Sequence, residues 1–193
     1  TTGSLLVLGT LVNGLGLIRW RGKLKRIEKL YGKHEGESCY IVGKGVSLKY
    51  ISKDHFKDGF IITLNQAVDW VEPLELDNTV YSMQKDHIVS PDTKYPIFIH
   101  SHESLDEVGD LENEFYVFTN HKIGLRSTFP SICTSITLAK LFGSNDITLI
   151  SFDAITNGII ENAMGKSWRD YEDHGRMAGQ LLNGVKWITP KEK

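Results

Sequence analysis

The segment "DITLISFD" (Asp146 to Asp153) places β-branched and apolar residues on successive positions, with little of the alternation that a half-solvated strand shows. "SCYIVG" (Ser38 to Gly43) and "GFIITLN" (Gly59 to Asn65) have the same character. Such strands need cover on both faces, which an open sheet lying between two layers of helices supplies. Directly before the first of these runs stands "SICTSITLAKLFG". It places Ile132, Ile136, Leu138, Ala139, Leu141 and Phe142 at helical spacing, and Gly143 is set to cap the end. Strands rich in Ile and Val alternating with helices predict an α/β chain: a Rossmann-like open, mostly parallel sheet flanked by helices.

Further strands are expected at "TVYSMQK" (Thr79 to Lys85), "PIFIHS" (Pro96 to Ser101) and "EFYVFTN" (Glu114 to Asn120). "VSLKYISKDHF" reads as a short helix and "SLDEVGDLE" as a helical turn or loop. The final "WRDYEDHGRMAGQLLNGVKWI" reads as a helix loosened by Gly175, Gly179 and Gly184. A basic helix over residues 19–31 ends at the polar turn "YGKHEGES". At 193 residues the chain suits one domain, drawn as an N-terminal arm and basic helix over 1–32 and a Rossmann-like domain over 33–193.

"LLVLGTLVNGLGLI" (Leu5 to Ile18) is apolar for about fourteen positions, short of the ~20 of a membrane span. Its basic residues follow it, whereas a signal peptide has them in front. It reads as an arm leading into the basic helix; the sharper reading is peripheral membrane contact through Trp20 and the Arg/Lys cluster. The chain opens on Thr1, and a natural start upstream of it is expected. A net charge of −2 gives no pull toward nucleic acid. Cys39 and Cys133 each sit in an apolar run outside any CxxC or Cys/His cluster, so buried free thiols in a reducing, cytoplasmic setting are expected.

In a parallel sheet, ligands bind beyond the carboxyl ends of the strands. Those ends carry Gly43-Lys44-Gly45-Val46-Ser47, Asn65-Gln66, Gln84-Lys85-Asp86, His100-Ser101-His102, Thr119-Asn120-His121 and Asp153. Small, amide and imidazole groups outnumber carboxylates, which favours a hydrogen-bonding pocket for a ring or sugar. Gly43 and Gly45 let the backbone approach a ligand. Ser47 stands where it either caps the next helix or donates to a phosphate. Asn65 is placed to read a base or ribose, or to cap the helix after it. Lys44 and Lys85 suit phosphate charge. "STFPSICTS" brings Ser127, Thr128 and Ser131 to a helix entry, a second anion site. Of the clustered His100, His102 and His121, the first two would share a strand face. Glu103 is the one acid at matching spacing, so no metal site is expected. His174 lies beside Glu172 and Asp173, neighbours that suit a general base.

In order, "CYIVGKGVSLKYI", "ITLNQAV" and "STFPSICTSITLAKLFGSNDITLISFDAITNG" resemble the bacterial sialyltransferases of the Campylobacter type and the wider group of proteins like archaeal 6-hydroxymethylpterin diphosphokinase. The resemblance covers roughly residues 33–187. It implies that Gly43, Gly45 and Ser47 line nucleotide phosphates and that Asn65 contacts base or ribose. Ser127, Thr128 and Ser131 would hold the ribose or base, and the segment from Asp153 would close over the donor sugar. His174 falls where these enzymes place their catalytic base. The implied reaction transfers a sugar from a nucleotide-sugar donor, CMP-linked in the sialyltransferases, to a glycan-type acceptor. Lys44 and Val46 stand where the group usually has Asn and Pro. Ala154 and Ile155 occupy the place of an aromatic hydroxyl. Two alternatives come with the same resemblance: an ATP- and Mg²⁺-dependent diphosphokinase using Asp86 and Asp153, and a nucleotide-binding module without catalysis.

Overall fold

The computed structural model describes residues 24–101, 103–159, 161–165 and 176–192. Among them eight strands form one sheet: β1 (Leu24–Arg26), β2 (Ser38–Val42), β3 (Phe60–Leu64), β4 (Thr79–Met83), β5 (Ile97–His100), β6 (Phe115–Phe118), β7 (Asp146–Ile150) and β8 (Lys186–Ile188). Their order is β1-β6-β5-β4-β3-β2-β7-β8, and each neighbouring pair is parallel. From β2 the chain steps outward strand by strand to β6, then returns to place β7 on the other side of β2. The expected α/β open sheet is therefore present.

Successive side chains of a strand point to opposite faces, and here both faces are dry. Cys39, Ile41, Phe60, Ile62, Ile147 and Leu149 join a core with the helix α2 (Ser131–Leu141). Tyr40, Val42, Ile61 and Ile150 face the opposite layer. That layer holds Leu48 and Phe56, together with Ala67 and Val71 from the short helix α1 (Val68–Val71) and the turn leading into it. Burial on two sides is the reason these strands read as unbroken apolar runs.

The end of α2 is tied to the turn before β2. Gly143 follows it at φ +105, and a Cβ there would stand 2.7 Å from the Cα of Glu35. The carbonyls of Leu141, Phe142 and Gly143 accept from the backbone N–H groups of Gly32, His34 and Gly36. Carbonyls at a helix end otherwise lack partners. His34 stacks on Phe60 with ring centroids 4.2 Å apart and meets the Tyr81 hydroxyl at 2.9 Å.

Three helical expectations resolve differently. The basic helix expected over 19–31 is, in its described part, strand β1 followed by a 3-10 turn at Ile27–Leu30. Pairing with β6 satisfies the backbone groups on one side of β1, and Ile27 and Leu30 enter the core. "VSLKYISKDHF" forms two 3-10 turns, Val46–Tyr50 and Lys53–His55, on either side of the extended Ile51 and Ser52. The C-terminal helix is helical at residues 176–178 and turns at Gly179–Leu182. It then becomes β8, which fills the open edge of β7 and adds a Lys186–Asp146 ion pair at 2.6 Å. Trp20 and the apolar run before it lie outside the described residues.

Candidate functional site

The reversal of strand order between β2 and β7 opens a crevice at their carboxyl ends. The loop after β2 is pinned to the exit of β7. Gly43 N–H donates to the Ile150 carbonyl at 2.8 Å and Gly45 N–H to that of Ser151 at 2.7 Å. A Cβ on Gly43 would lie 2.8 Å from the Ser151 carbonyl oxygen, and one on Gly45 only 2.0 Å from Asp153 Oδ2. The two glycines are thus required by close approach of another chain segment. Asp153, 1% exposed, opens the short helix α3 (Asp153–Thr156). Its Oδ2 accepts from the Ser47 hydroxyl at 2.7 Å and the Ser47 N–H at 3.1 Å. A carboxylate accepting two such bonds is held in place as firmly as it holds the loop. On its outer side the loop is clasped by Ala163 N–H on the Lys44 carbonyl and by a bridge from Gly45 to Asn162.

Above this junction lies a cavity of about 470 Å³. Gly43, Lys44, Gly45, Asn65, Ser127, Thr128, Ser131 and Asp153, all singled out in the sequence, line it together. Ser47 does not, because both its N–H and its hydroxyl are turned to Asp153. Asn65 sits at the end of β3 with φ +51, and Lys44 Nζ donates to Gln66 Oε1 at 3.1 Å. The entry of α2 forms another wall. Of the four N–H groups at its start, those of Cys133 and Thr134 go to the Pro130 carbonyl. Ser131 and Ile132, whose N–H groups have no acceptor within a helix, line the cavity. Phe129, Phe152 and Met177, which no sequence motif marks, join Ile155 in the apolar part of the lining. Apolar loop residues carry no signal of their own before the fold gathers them. His174 lies outside the described residues.

The remaining strand-end groups serve the walls. His100 Nε2 and the Ser127 N–H both meet Asn120 Oδ1, at 3.0 and 2.9 Å, tying the tips of β5 and β6 to the cavity loop. His121 bonds the Tyr31 hydroxyl at 2.7 Å, and His102 lies outside the described residues. Among the described residues no three His, Cys, Asp or Glu side chains gather as a metal site would require. Cys39 and Cys133 are buried free thiols. Burial pushes the Cys39 thiol well up and that of Cys133 to about 11, so both stay protonated at neutral pH.

Beside the cavity, Lys85 is buried with Nζ 3.1 Å from Asp86 Oδ1 and 3.8 Å from Glu103 Oε2. Glu103 Oε2 is enclosed without a hydrogen-bond partner. Burial, with Asp86 adjoining, pushes the Glu103 carboxyl up from 4.5 to about 7 against the pull of Lys85. Between those values the folded chain holds a proton that the unfolded chain has released. Stability contributed by this group therefore falls as pH rises through that window and is level above it. Melting at about pH 5 and about pH 8 should show a smaller difference for Glu103→Gln than for the wild type. An unchanged difference would assign the pH dependence elsewhere.

The fold and crevice define the class: an α/β open sheet, consistent with a Rossmann-like domain, with its cavity at the switch in strand order. No family model matches the chain, and no curated protein matches it in sequence. Among solved structures, the crystal structure of a mammalian sialyltransferase shares the fold, with a TM-score of 0.51 at 13% identity over 96% of this chain and 83% of that one. At that identity the likeness is one of fold, and it supports a sialyltransferase-like architecture. No helix among the described residues is long and apolar enough to cross a membrane.

Proposed function

We propose that the chain is a glycosyltransferase-like enzyme, and that the cavity at the β2–β7 junction holds the nucleotide of a nucleotide-sugar donor. The observation that carries this reading is the convergence, in one cavity, of the close-approach loop Gly43-Lys44-Gly45, Asn65 and the entry of α2. Helix entries favour anions because their first N–H groups and the helix dipole both point outward. Phosphate would sit between the α2 entry and Lys44, while Asn65 and the Ser127-Thr128 stretch meet the ribose or base. His174, as the resemblance implies, removes the proton from an acceptor hydroxyl. That oxygen then attacks the anomeric carbon, and the bond to the nucleotide phosphate breaks. The N–H groups at the α2 entry take the charge on the departing phosphate. Acceptors are glycan-type hydroxyls. With Ala154 and Ile155 where the sialyltransferases carry an aromatic hydroxyl, the donor sugar need not be sialic acid.

The diphosphokinase reading would need Asp86 and Asp153 to hold Mg²⁺. One oxygen of Asp153 already accepts two bonds from Ser47, and Asp86 is paired with Lys85. This donor set suits Mg²⁺ poorly.

Thermal shifts with CMP, UDP, GDP and ATP, with and without Mg²⁺, separate the readings. A nucleotide at a hundred times its Kd adds about 2.7 kcal/mol, a rise in Tm of roughly 5–10 °C for a chain of this size. Stabilisation by a pyrimidine nucleotide without metal is expected. A requirement for ATP with Mg²⁺ would shift the reading to the diphosphokinase, and no shift with any nucleotide would end both.

A further inference from the structure

We propose that Lys85 is a positioning residue for the phosphate of the bound nucleotide: by drawing two loop carbonyls onto its ammonium, it keeps the α2 entry receptive to an anion. The inference rests on the nucleotide reading of the cavity and goes beyond it by assigning the phosphate side to one residue.

Lys85 follows β4, and its side chain is only 3% exposed. Its Nζ donates to the Ser127 carbonyl at 2.7 Å and to the Phe129 carbonyl at 2.6 Å, with Asp86 Oδ1 at 3.1 Å. An ammonium has three protons, and three oxygens lie within reach of them. Lys85 borders the cavity, yet its hydrogen-bonding capacity is directed away from any ligand. The two carbonyls belong to the turn that leads into α2, and Ser127, Thr128 and Phe129 all line the cavity. A carbonyl oxygen facing a phosphate repels it, whereas the N–H groups of Ser131 and Ile132 attract it. Bonded to Lys85, the Ser127 and Phe129 carbonyls each have a lone pair engaged and their partial negative charge offset by the ammonium. The far side of the turn is anchored separately, by the Ser127 N–H on Asn120 Oδ1 and the Phe129 N–H on the Arg126 carbonyl. Removing the Lys85 ammonium therefore releases the carbonyls while leaving other restraints on the turn in place.

The test compares cytidine with CMP, and uridine with UDP, by titration calorimetry on the wild type and on Lys85→Met. In the wild type the nucleotide of at least one pair should bind tighter than its nucleoside. In Lys85→Met that advantage should fall by about tenfold or more, the equivalent of one charge-assisted hydrogen bond. Nucleoside affinity should stay within about twofold of the wild type, because the Ser127 N–H remains on Asn120 Oδ1 and keeps the Ser127-Thr128 stretch against the ribose or base. A variant that keeps the full advantage overturns the positioning role, and so does one that loses nucleoside and nucleotide affinity in parallel, because a merely structural lysine would act that way. Should Lys85→Met fail to fold, Lys85→Gln retains an amide donor for one carbonyl, and the same loss confined to the nucleotide is expected of it. A wild type that never distinguishes nucleotide from nucleoside removes the nucleotide reading itself. A wild type that does, beside a variant that does so equally, removes only the role of Lys85.

Discussion

A Gly45→Ala chain is expected to lose about 3 kcal/mol or more of stability, a fall of roughly 6–12 °C in Tm. Backbone torsion is not the cause, since Gly45 sits at φ −58 and ψ 160, where alanine is comfortable. The cause is contact. The new methyl would lie 2.0 Å from Asp153 Oδ2, 2.6 Å from the Ser151 carbonyl oxygen and 2.8 Å from the Asp153 nitrogen. Overpacking of this kind costs typically 1–3 kcal/mol. Displacing the Asp153 carboxylate also strands the Ser47 N–H and hydroxyl, each worth about 1–3 kcal/mol when left unsatisfied. Removing the carboxylate in Gly45→Ala/Asp153→Ala should not restore the wild-type melt, because two of the three collisions are with backbone. A single Gly45→Ala variant with a wild-type denaturation midpoint would mean that the two segments are not bound together as described.

The second large effect, on the proposed reading of the chain as a transferase, is on the reaction rate. His174→Ala is expected to keep the nucleotide-induced thermal shift and to lose transfer by roughly 10²–10⁴-fold, the usual contribution of a positioned general base. Its motivation is the position of His174 beside Glu172 and Asp173, together with the place of the catalytic base in the resembling sialyltransferases. The measurement is transfer from a nucleotide-sugar donor to a glycan acceptor, with CMP-sialic acid among the donors. A variant that binds nucleotide and transfers at the full rate would remove the assignment.

The parts of the fold that sequence makes legible are those buried on both sides. β2, β3 and β7 are central strands, so each is a contiguous apolar run. β1 and β8 are the edges: "LKR" and "KWI" are three residues long and largely accessible, and only backbone pairing marks them as strands. In a lone sequence such pieces merge with the basic or amphipathic stretches beside them, which is why both were expected to be helical. At the site, looking at strand ends gathered Gly43, Lys44, Gly45, Asn65 and Asp153, because a parallel sheet brings all those ends to one rim. What stayed hidden was long-range. Ser47 and Asp153 are 106 residues apart, so no local pattern announces that the serine serves the aspartate. Lys85 was legible as a cation near the crevice, but its acceptors are carbonyls 42 and 44 residues away. A carbonyl acceptor is present at every residue and so leaves no compositional trace.

The pairing of β2 with both β3 and β7 also sets a timetable. Ser38 in β2 is matched with Asp146 in β7, 108 residues later. At about 5–20 residues per second, a ribosome needs roughly 5–20 s to supply that partner once β2 has been made. Until then the edge of β2 that β7 covers has no partner, while β3, the partner for its other edge, has long been made. Asp153 does not yet exist to fasten Ser47, and the floor of the crevice has no second half. The cavity is thus complete only after β7 and the segment that follows it have been made.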